Sequence, residues 1–486
     1  MNILIGALFL SIWHSLLFWD QKIGISAILF ALPVIYITIK LLKEKTKNGK
    51  ALLISIPILL LSSTYFIFDN PVFQKLNLII IPVLYVIMII ATTSSILIKS
   101  MFSQIASMIL EPLNRIGDVF AEVKKQIIKK FKLETREKTE KNKGNIVKAV
   151  FFTTLIVLFV LGLLISADRE FANFFGDILE GIENLSVPTL VIRIGVIIVL
   201  FFYIASFFIN MLSEHNVLSK FDAENIQTKE SLTIRMMLTS LNIIYLVFCY
   251  IQIKSIFTVE DIVYSYYARQ GFFQLKIVSL INIRMILKAT SKNLIETERQ
   301  KQYKKIMCIA MLVFTLIIII SAFARMTLYQ QNYGDTRLRI LVDFTLITEI
   351  ILLVPTAMYI LKSKINLGKT YFIIITIMYC FINFANIDNM IAKNYIDRYI
   401  ETGNIDLYYL TTELDSADTI NELKRLQETE FKYTKDEPQT QYNELEGKKK
   451  QLDNYLSDKS RELNEYSTLP EFNLSRHNAK QIFRRK

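Results

Sequence analysis

Ionisable side chains in apolar surroundings are the first chemical signal in this chain. Glu349 stands about nine residues into a long apolar run, and Asp343 and Asp388 stand in or beside others. The cations Arg193, Lys254, Arg269, Lys276, Arg325, Arg337 and Arg339 fall at the same ends of apolar runs as these acids. An Arg or Lys at mid-depth in hydrocarbon costs about 2.5–3.5 kcal/mol on insertion scales, so such residues persist where they pair, line a path or bind something. Three chemistries fit. Ion pairs could join helices. Clustered guanidiniums could hold a lipid phosphate, a polyprenyl-phosphate carrier or an external anionic solute. A lone deep carboxylate, Glu349, could carry a proton or an ion. Asn383, Asn386 and Asn389 recur every three residues around Asp388 and share part of one helix face.

The elements that must position these residues are long apolar blocks. Of 486 residues, 52% are hydrophobic and 21% charged, and the apolar ones are not scattered. They fall in runs of the roughly 20 residues needed to cross about 30 Å of hydrocarbon as a helix. The runs are 3–19, 24–42, 51–68, 76–98, 149–167, 189–211, 236–257, 271–288, 306–324, 340–361 and 371–391. They are continuous rather than alternating, so helices and not barrel strands are expected. The fold class is all-α: a polytopic transmembrane helix bundle of about eleven spans with a small helical extramembrane tail.

Loop charge orients the spans. The loop from Lys43 to Lys50, the ten basic residues between Lys124 and Lys148, the run Lys292 to Lys305, and Lys362, Lys364 and Lys369 all read as cytoplasmic. The acidic loop 168–187 reads as external. Eleven spans satisfy these assignments in alternation and leave the tail outside. The span at 271–288 contains Lys276, Asn282 and Arg284 and is the least apolar of the set. The expected organisation is four N-terminal spans over 1–100, a basic amphipathic linker over 101–148, a seven-helix core over 149–392 and a charged helical tail over 393–486.

Two stretches outside the spans have helical periodicity. Leu113, Ile116, Val119, Phe120, Val123, Ile127 and Phe131 make one apolar face, flanked by Lys124, Lys125, Lys129 and Lys130. Such a helix suits the inner leaflet, where anionic lipid favours each nearby cation by about 1 kcal/mol. A plain connector helix fits as well. In the tail, Leu410, Leu414, Ile420, Leu423 and Leu426 suggest a small helical hairpin, and Pro438 a break.

Several function classes lose support. The net charge of +12 follows from cytoplasmic loops, so no nucleic-acid partner is expected. Cys249, Cys308 and Cys380 lie in separate apolar runs, and the three histidines are far apart, so neither a disulfide framework nor a metal site is expected. No phosphate-cradling Gly-rich loop, His-Glu-x-x-His or Gly-x-Ser-x-Gly occurs, and no cofactor is expected.

The runs Tyr267-Ala-Arg-Gln-Gly-Phe272, Arg325-Met-Thr-Leu-Tyr-Gln-Gln-Asn-Tyr-Gly334 with Thr336-Arg-Leu-Arg339, Ser166-Ala-Asp168 and Asn473-Leu-Ser-Arg476 resemble a bacterial membrane family catalogued as domain of unknown function 4173. The resemblance implies a multipass protein of a bacterial plasma membrane and transfers no activity. It marks Arg269, Gly271, Phe272, Arg325, Tyr329, Tyr333, Gly334, Thr336 and Arg339 as motif positions. With Asp343, Glu349 and Asp388 these form the candidate ligand-binding set. Transport or sensing of an envelope ligand at an outward-facing polar site is the leading expectation. A transferase acting on a polyprenyl-phosphate-linked substrate, and a scaffold whose tail binds a protein partner, are the alternatives.

Overall fold

A computed structural model describes residues 3–93, 101–131, 189–213, 231–258, 272–290, 297–362, 365–402, 405–429, 439–466 and 468–484. The expected span at 149–167, Pro438, Arg269 and Gly271 lie outside the described residues. Among those described the regular elements are all helical. The helices are α1 (Ile3–Phe18), α2 (Ser26–Leu42), α3 (Ser55–Ile67), α4 (Pro71–Thr93), α5 (Met101–Asn114), α6 (Ile116–Phe131), α7 (Thr189–Leu212) and α8 (Ser231–Thr258). They continue with α9 (Phe272–Ala289), α10 (Glu298–Tyr333), α11 (Arg337–Lys362), α12 (Leu367–Phe384), α13 (Ile387–Thr402), α14 (Ile420–Glu428), α15 (Gln439–Glu465) and α16 (Leu474–Arg484).

Seven of the described helical stretches are long and apolar enough to cross a membrane: Gly49–Ile67, Pro71–Thr93, Arg193–Leu212, Leu232–Ile251, Glu298–Gln331, Arg337–Lys362 and Leu367–Phe384. α1 and α2 are apolar but shorter. The chain is thus an all-helical integral membrane bundle. Several boundaries differ from the sequence reading, two of them substantially. The run 306–324 is the middle of α10, which spans 36 residues, about 54 Å at 1.5 Å per residue. Polar turns extend it at both ends, and a Thr297–Gln300 capping box starts it. The expected single span 371–391 is two helices. Asn386 adopts φ 46°, a left-handed conformation that Asn tolerates better than most residues. Its Oδ1 accepts the amide of Asn389 at 3.4 Å, so α13 starts afresh as a polar helix.

The described chain divides into two compact units. The first holds Met1–Phe66, Lys75–Phe221 and Tyr466–Asn473. In it α1, α5 and α6 pack on α7 and α2 packs on α1, around Leu10, Leu42, Ile89, Val119 and Phe208. Arg193 of α7 donates to Ser15 Oγ (2.8 Å) and to the Ser15 carbonyl (3.0 Å). One of the misplaced cations therefore serves a carbonyl in the last turn of α1. The tail segment 466–473 lies on the turn before α2. Ile25 N donates to Phe472 O (2.9 Å) and Ser26 N to Pro470 O (3.1 Å), which satisfies amides at the start of α2. Asn473 donates to Tyr65 O at 2.8 Å. At the other end of this unit the basic loop lies on α4: Lys47 N and Asn48 N both donate to Thr92 O.

The second unit holds Ile67–Gln74, Asp222–Glu465 and Leu474–Lys486. α10 packs against α8, α9 and α11, and α12 against α11. Leu238, Ile286, Cys308, Met311, Ile318 and Leu346 form the core. α9, despite its charges, lies in the bundle: Asn282 at its middle bonds Tyr245 of α8 and Thr315 of α10. Leu410, Leu414, Ile420, Leu423 and Leu426 are fully buried, and α13 to α16 pack on one another through them and their neighbours.

A Cβ on Gly24 would lie 2.6 Å from the Glu471 and Phe472 backbone, with no flexible side chain to yield. Gly24→Ala is expected to release the 466–473 segment, seen as faster proteolysis between α15 and α16 in detergent. Gly195→Ala, where a Cβ meets nothing within 4 Å, is expected to digest like the parent. Equal digestion of all three would remove this contact from the fold.

Candidate functional site

A dense polar cluster among the described residues of the second unit forms where helix starts meet the tail. Asp69-Asn-Pro71 opens α4. Pro71 suits the first helical position, and Asn70 Oδ1 accepts the amides of Val72 and Phe73, each at 3.0 Å, as an N-cap. The Asn70 amide donates onward to Asp388 Oδ1 at 2.9 Å. Asp388, in the first turn of α13, has no exposed surface. Arg337, the first residue of α11, grips it with both edges of the guanidinium, Nε to Oδ1 at 2.7 Å and Nη2 to Oδ2 at 2.8 Å. This two-point geometry is the strong form of an ion pair. The third Arg337 nitrogen donates to Glu413 O at 2.6 Å, and its backbone amide to Tyr409 Oη at 2.9 Å.

A second ionic pair stands beside the first. Arg476 of α16 donates to Asp69 Oδ1 through Nε (2.9 Å) and Nη2 (2.6 Å). Asp69 Oδ2 accepts the Ala417 amide at 3.1 Å, and the Asp69 amide donates to Asp418 Oδ2 at 2.9 Å. Ser416 closes the turn by donating to Asp69 O at 3.0 Å. Three carboxylates and two guanidiniums thus share one region, mostly out of water. Burial pushes the Asp388 carboxyl above the usual range, with Arg337 opposing. Burial pushes Asp418 up to about 7, against hydrogen bonds from Ser475 and the Asp69 amide and with help from the charges of Asp69 and Asp388.

The motif residues assemble next to this network. Gly334 ends α10 at φ 75°, and a Cβ there would lie 2.9 Å from the Tyr395 ring. Both the left-handed turn and the close ring require glycine. Arg339 Nη1 donates to the carbonyls of Tyr333 and Gly334, and its guanidinium lies 4.3 Å over the Tyr329 ring. Tyr329 and Tyr333 are 4.8 Å apart between centroids. Thr336 Oγ1 accepts the Arg339 amide at 3.3 Å, and Tyr395 stacks on Tyr409 at 5.7 Å.

The remaining candidates are dispersed. Asp343 accepts from Gln330 at 2.6 Å and its other oxygen is buried without a hydrogen bond. Glu349, further along α11, accepts from Ser279 at 2.6 Å. Arg325 lies on α10 with an interaction of its own. Phe272 begins α9, and α6 carries Lys124, Lys125, Lys129 and Lys130; the side chains of these five lie outside the described residues. The structure therefore brings together Tyr329, Tyr333, Gly334, Thr336 and Arg339, and places Asp388 in the ionic network.

Sequence reasoning counted Arg337 among the outer cations without selecting it as a site residue. It missed Asp69, Asn70 and Asp418. Asp-Asn-Pro ahead of an apolar run was a readable cap signal for the first two, and Arg476 stood in a quoted motif without a role.

A family model described as Domain of unknown function (DUF4153) matches residues 55–426. That number replaces 4173. No curated protein and no solved structure matches.

Two predictions arise from the ionic network. Asp388→Asn removes half of a buried pair and is expected to cost about 3–5 kcal/mol. It should lower the melting temperature in detergent and open Cys380, buried on α12 one turn before its end, to thiol reagents. An unchanged melting temperature would contradict this placement. The second concerns pH. The raised Asp418 carboxyl means the native state holds a proton that the unfolded chain releases near its ordinary value of about 3.9. Its contribution to stability is therefore complete at acid pH and declines as pH rises toward about 7. The parent is expected to lose more melting temperature than Asp418→Asn between about pH 5 and pH 8. Parallel curves would count against it.

Proposed function

Because the chain belongs to the DUF4153 family, whose activity is unknown, we propose that it is a plasma-membrane sensor whose own tail forms a folded, outward-facing cap on the membrane bundle. The observation that carries this reading is Asp388. One fully buried carboxylate holds Arg337 at the start of α11 and Asn70 at the start of α4 from the first turn of α13. A change in the cap that moves α13 must therefore move the starts of two apolar helices. Such a shared, discrete contact is what a transducing element needs.

Charge supports the side. Within the first unit, tail segment 466–473 meets the turn before α2, while the basic loop meets the far end of α4. Within the second, the tail meets Arg337 and Asp388, while Lys305 donates to Leu361 O at the far end of α11. Each unit, taken separately, sets the tail opposite the basic loops, and basic loops favour the cytoplasm. The basic helix α6 would then face the inner leaflet and its anionic lipids. A bacterial cytoplasmic membrane is the corresponding location.

The chemistry of the cations favours sensing over the transferase reading. Arg337 spends its guanidinium on Asp388 and Glu413 O, and Arg339 on two carbonyls and the Tyr329 ring. Guanidiniums engaged in this way have little left for a phosphate. The ligand read by the cap would be an envelope component or a condition such as pH.

The test uses surface cysteines. Ser457 on α15 and Gln302 on α10 are exposed, while Cys249, Cys308 and Cys380 are buried. In intact cells a membrane-impermeant maleimide should label Ser457→Cys, and should label Gln302→Cys only after permeabilisation. Labelling of both from one side would overturn the cap's orientation and with it this reading.

A further inference from the structure

The second unit contains a polar ladder that the cap does not use. On α9, Lys276, Ser279 and Asn282 recur every three residues. On α8, Thr239, Asn242 and Tyr245 do the same. Residues three apart on a helix are side-chain neighbours. The two rows join where Tyr245 Oη donates to Asn282 Oδ1 at 2.7 Å. Asn282 in turn donates to Thr315 Oγ1 of α10 at 3.0 Å. At one end of the ladder, Ser279 Oγ donates to Glu349 at 2.6 Å and Lys276 Nζ donates to Thr345 Oγ1. At the other, Asn242 donates to Met307 O at 3.0 Å, and Thr239 Oγ1 and Tyr303 Oη are hydrogen-bonded at 2.7 Å.

The two rows rise about 9 Å each, together about 18 Å of the roughly 30 Å hydrocarbon thickness. Their middle is closed: Ser279, Asn282 and Thr315 have no exposed surface, and Glu349, Asn242 and Tyr245 have 6%, 7% and 8%. Their ends reach the surface of the bundle, with Thr345 exposed and Tyr303 40% exposed.

Interhelical glue would pair every group and would not need an ionisable one. This ladder departs on both counts. Asn242 Oδ1 is buried with no hydrogen-bond partner, and a buried open acceptor in a polar row is a place for water. Glu349 is a carboxylate inside an apolar span, and the charged side chain acting on it is Lys276 of α9. Apolar residues would pack these helices without the insertion cost that both charges carry.

We propose that this ladder is a proton path through the membrane bundle, with Glu349 as its proton-carrying group. The chemistry is O–H exchange alone. Glu349 takes a proton at the Lys276 end and returns it to Ser279 Oγ, which releases its own proton to a bridging water, since its hydrogen bonds otherwise run to Glu349 and the Lys276 carbonyl. The hydroxyls of Ser279, Thr315, Tyr245, Thr239 and Tyr303 each accept one proton and give up another. Asn282 and Asn242 orient water between them. One proton enters at Thr345 and one leaves at Tyr303, so the transfer moves one positive charge and is driven by membrane potential. This path stands independently of the cap and of the side that the tail occupies.

The full-length chain in liposomes, with an imposed potassium-diffusion potential and an internal pH dye, tests it. The parent should collapse the imposed gradient faster than protein-free liposomes. Glu349→Gln, which keeps an acceptor for Ser279 but cannot carry the proton, should fall to the protein-free rate. Glu298→Gln, 84% exposed at its side chain, should match the parent. On the unmodified chain, dicyclohexylcarbodiimide should modify Glu349, read by peptide mass, and stop the flux in proportion. A parent no faster than protein-free liposomes would overturn the proposal. So would a folded Glu349→Gln that conducts like the parent, or Glu349 modification that leaves the flux intact.

Discussion

A carboxylate removed from water must be matched, and Asp388 is where this structure meets that demand most completely. Its two oxygens take up both edges of Arg337 and the Asn70 amide. Removing one partner of such a pair strands the other, while the intact pair adds little net stability over an apolar substitute. The pair is therefore better understood as a specificity device. It joins the starts of α4, α11 and α13, and the turn at Asn386 lies two residues before Asp388. The neighbouring Asp69–Arg476 pair fixes α16 and the 413–419 turn by the same logic.

The same requirement explains two of the misplaced cations. Arg193 serves a carbonyl near the end of α1. Arg339 serves the carbonyls at the end of α10 while lying on Tyr329. Helix ends leave carbonyls without intrahelical partners, and an arginine at the membrane boundary can supply donors while its stem stays in apolar surroundings. Arg193 and Arg339, read in the sequence as part of a vestibule, here serve helix termini.

Two polar systems then remain with distinct characters. The network around Asp388 is ionic and dense and is completed by residues of the tail, and burial raises the Asp388 and Asp418 carboxyls. The ladder of α8 and α9 is mostly neutral and runs through the packed interior of the second unit. Its one carboxylate and its open Asn242 acceptor set it apart from ordinary interhelical bonding.

The all-helical class, the membrane setting and the approximate position of each described span were legible from run length and hydropathy, because a bilayer of fixed thickness imposes a length on every crossing helix. The buried leucines of the tail were legible from spacing, because helical period alone selects a face. The membrane spans also displayed Glu349, since a carboxylate in a greasy run is visible without coordinates. The pairing of Arg337 with Asp388, the roles of Asp69, Asn70 and Asp418, and the union of the α8 and α9 rows were decided only by tertiary structure. Ion pairs between residues tens or hundreds of positions apart depend on which helix ends converge, and no local period encodes that. The break at Asn386 belongs with them: Asn tolerates the left-handed turn, but nothing local shows which arginine Asp388 meets beyond it.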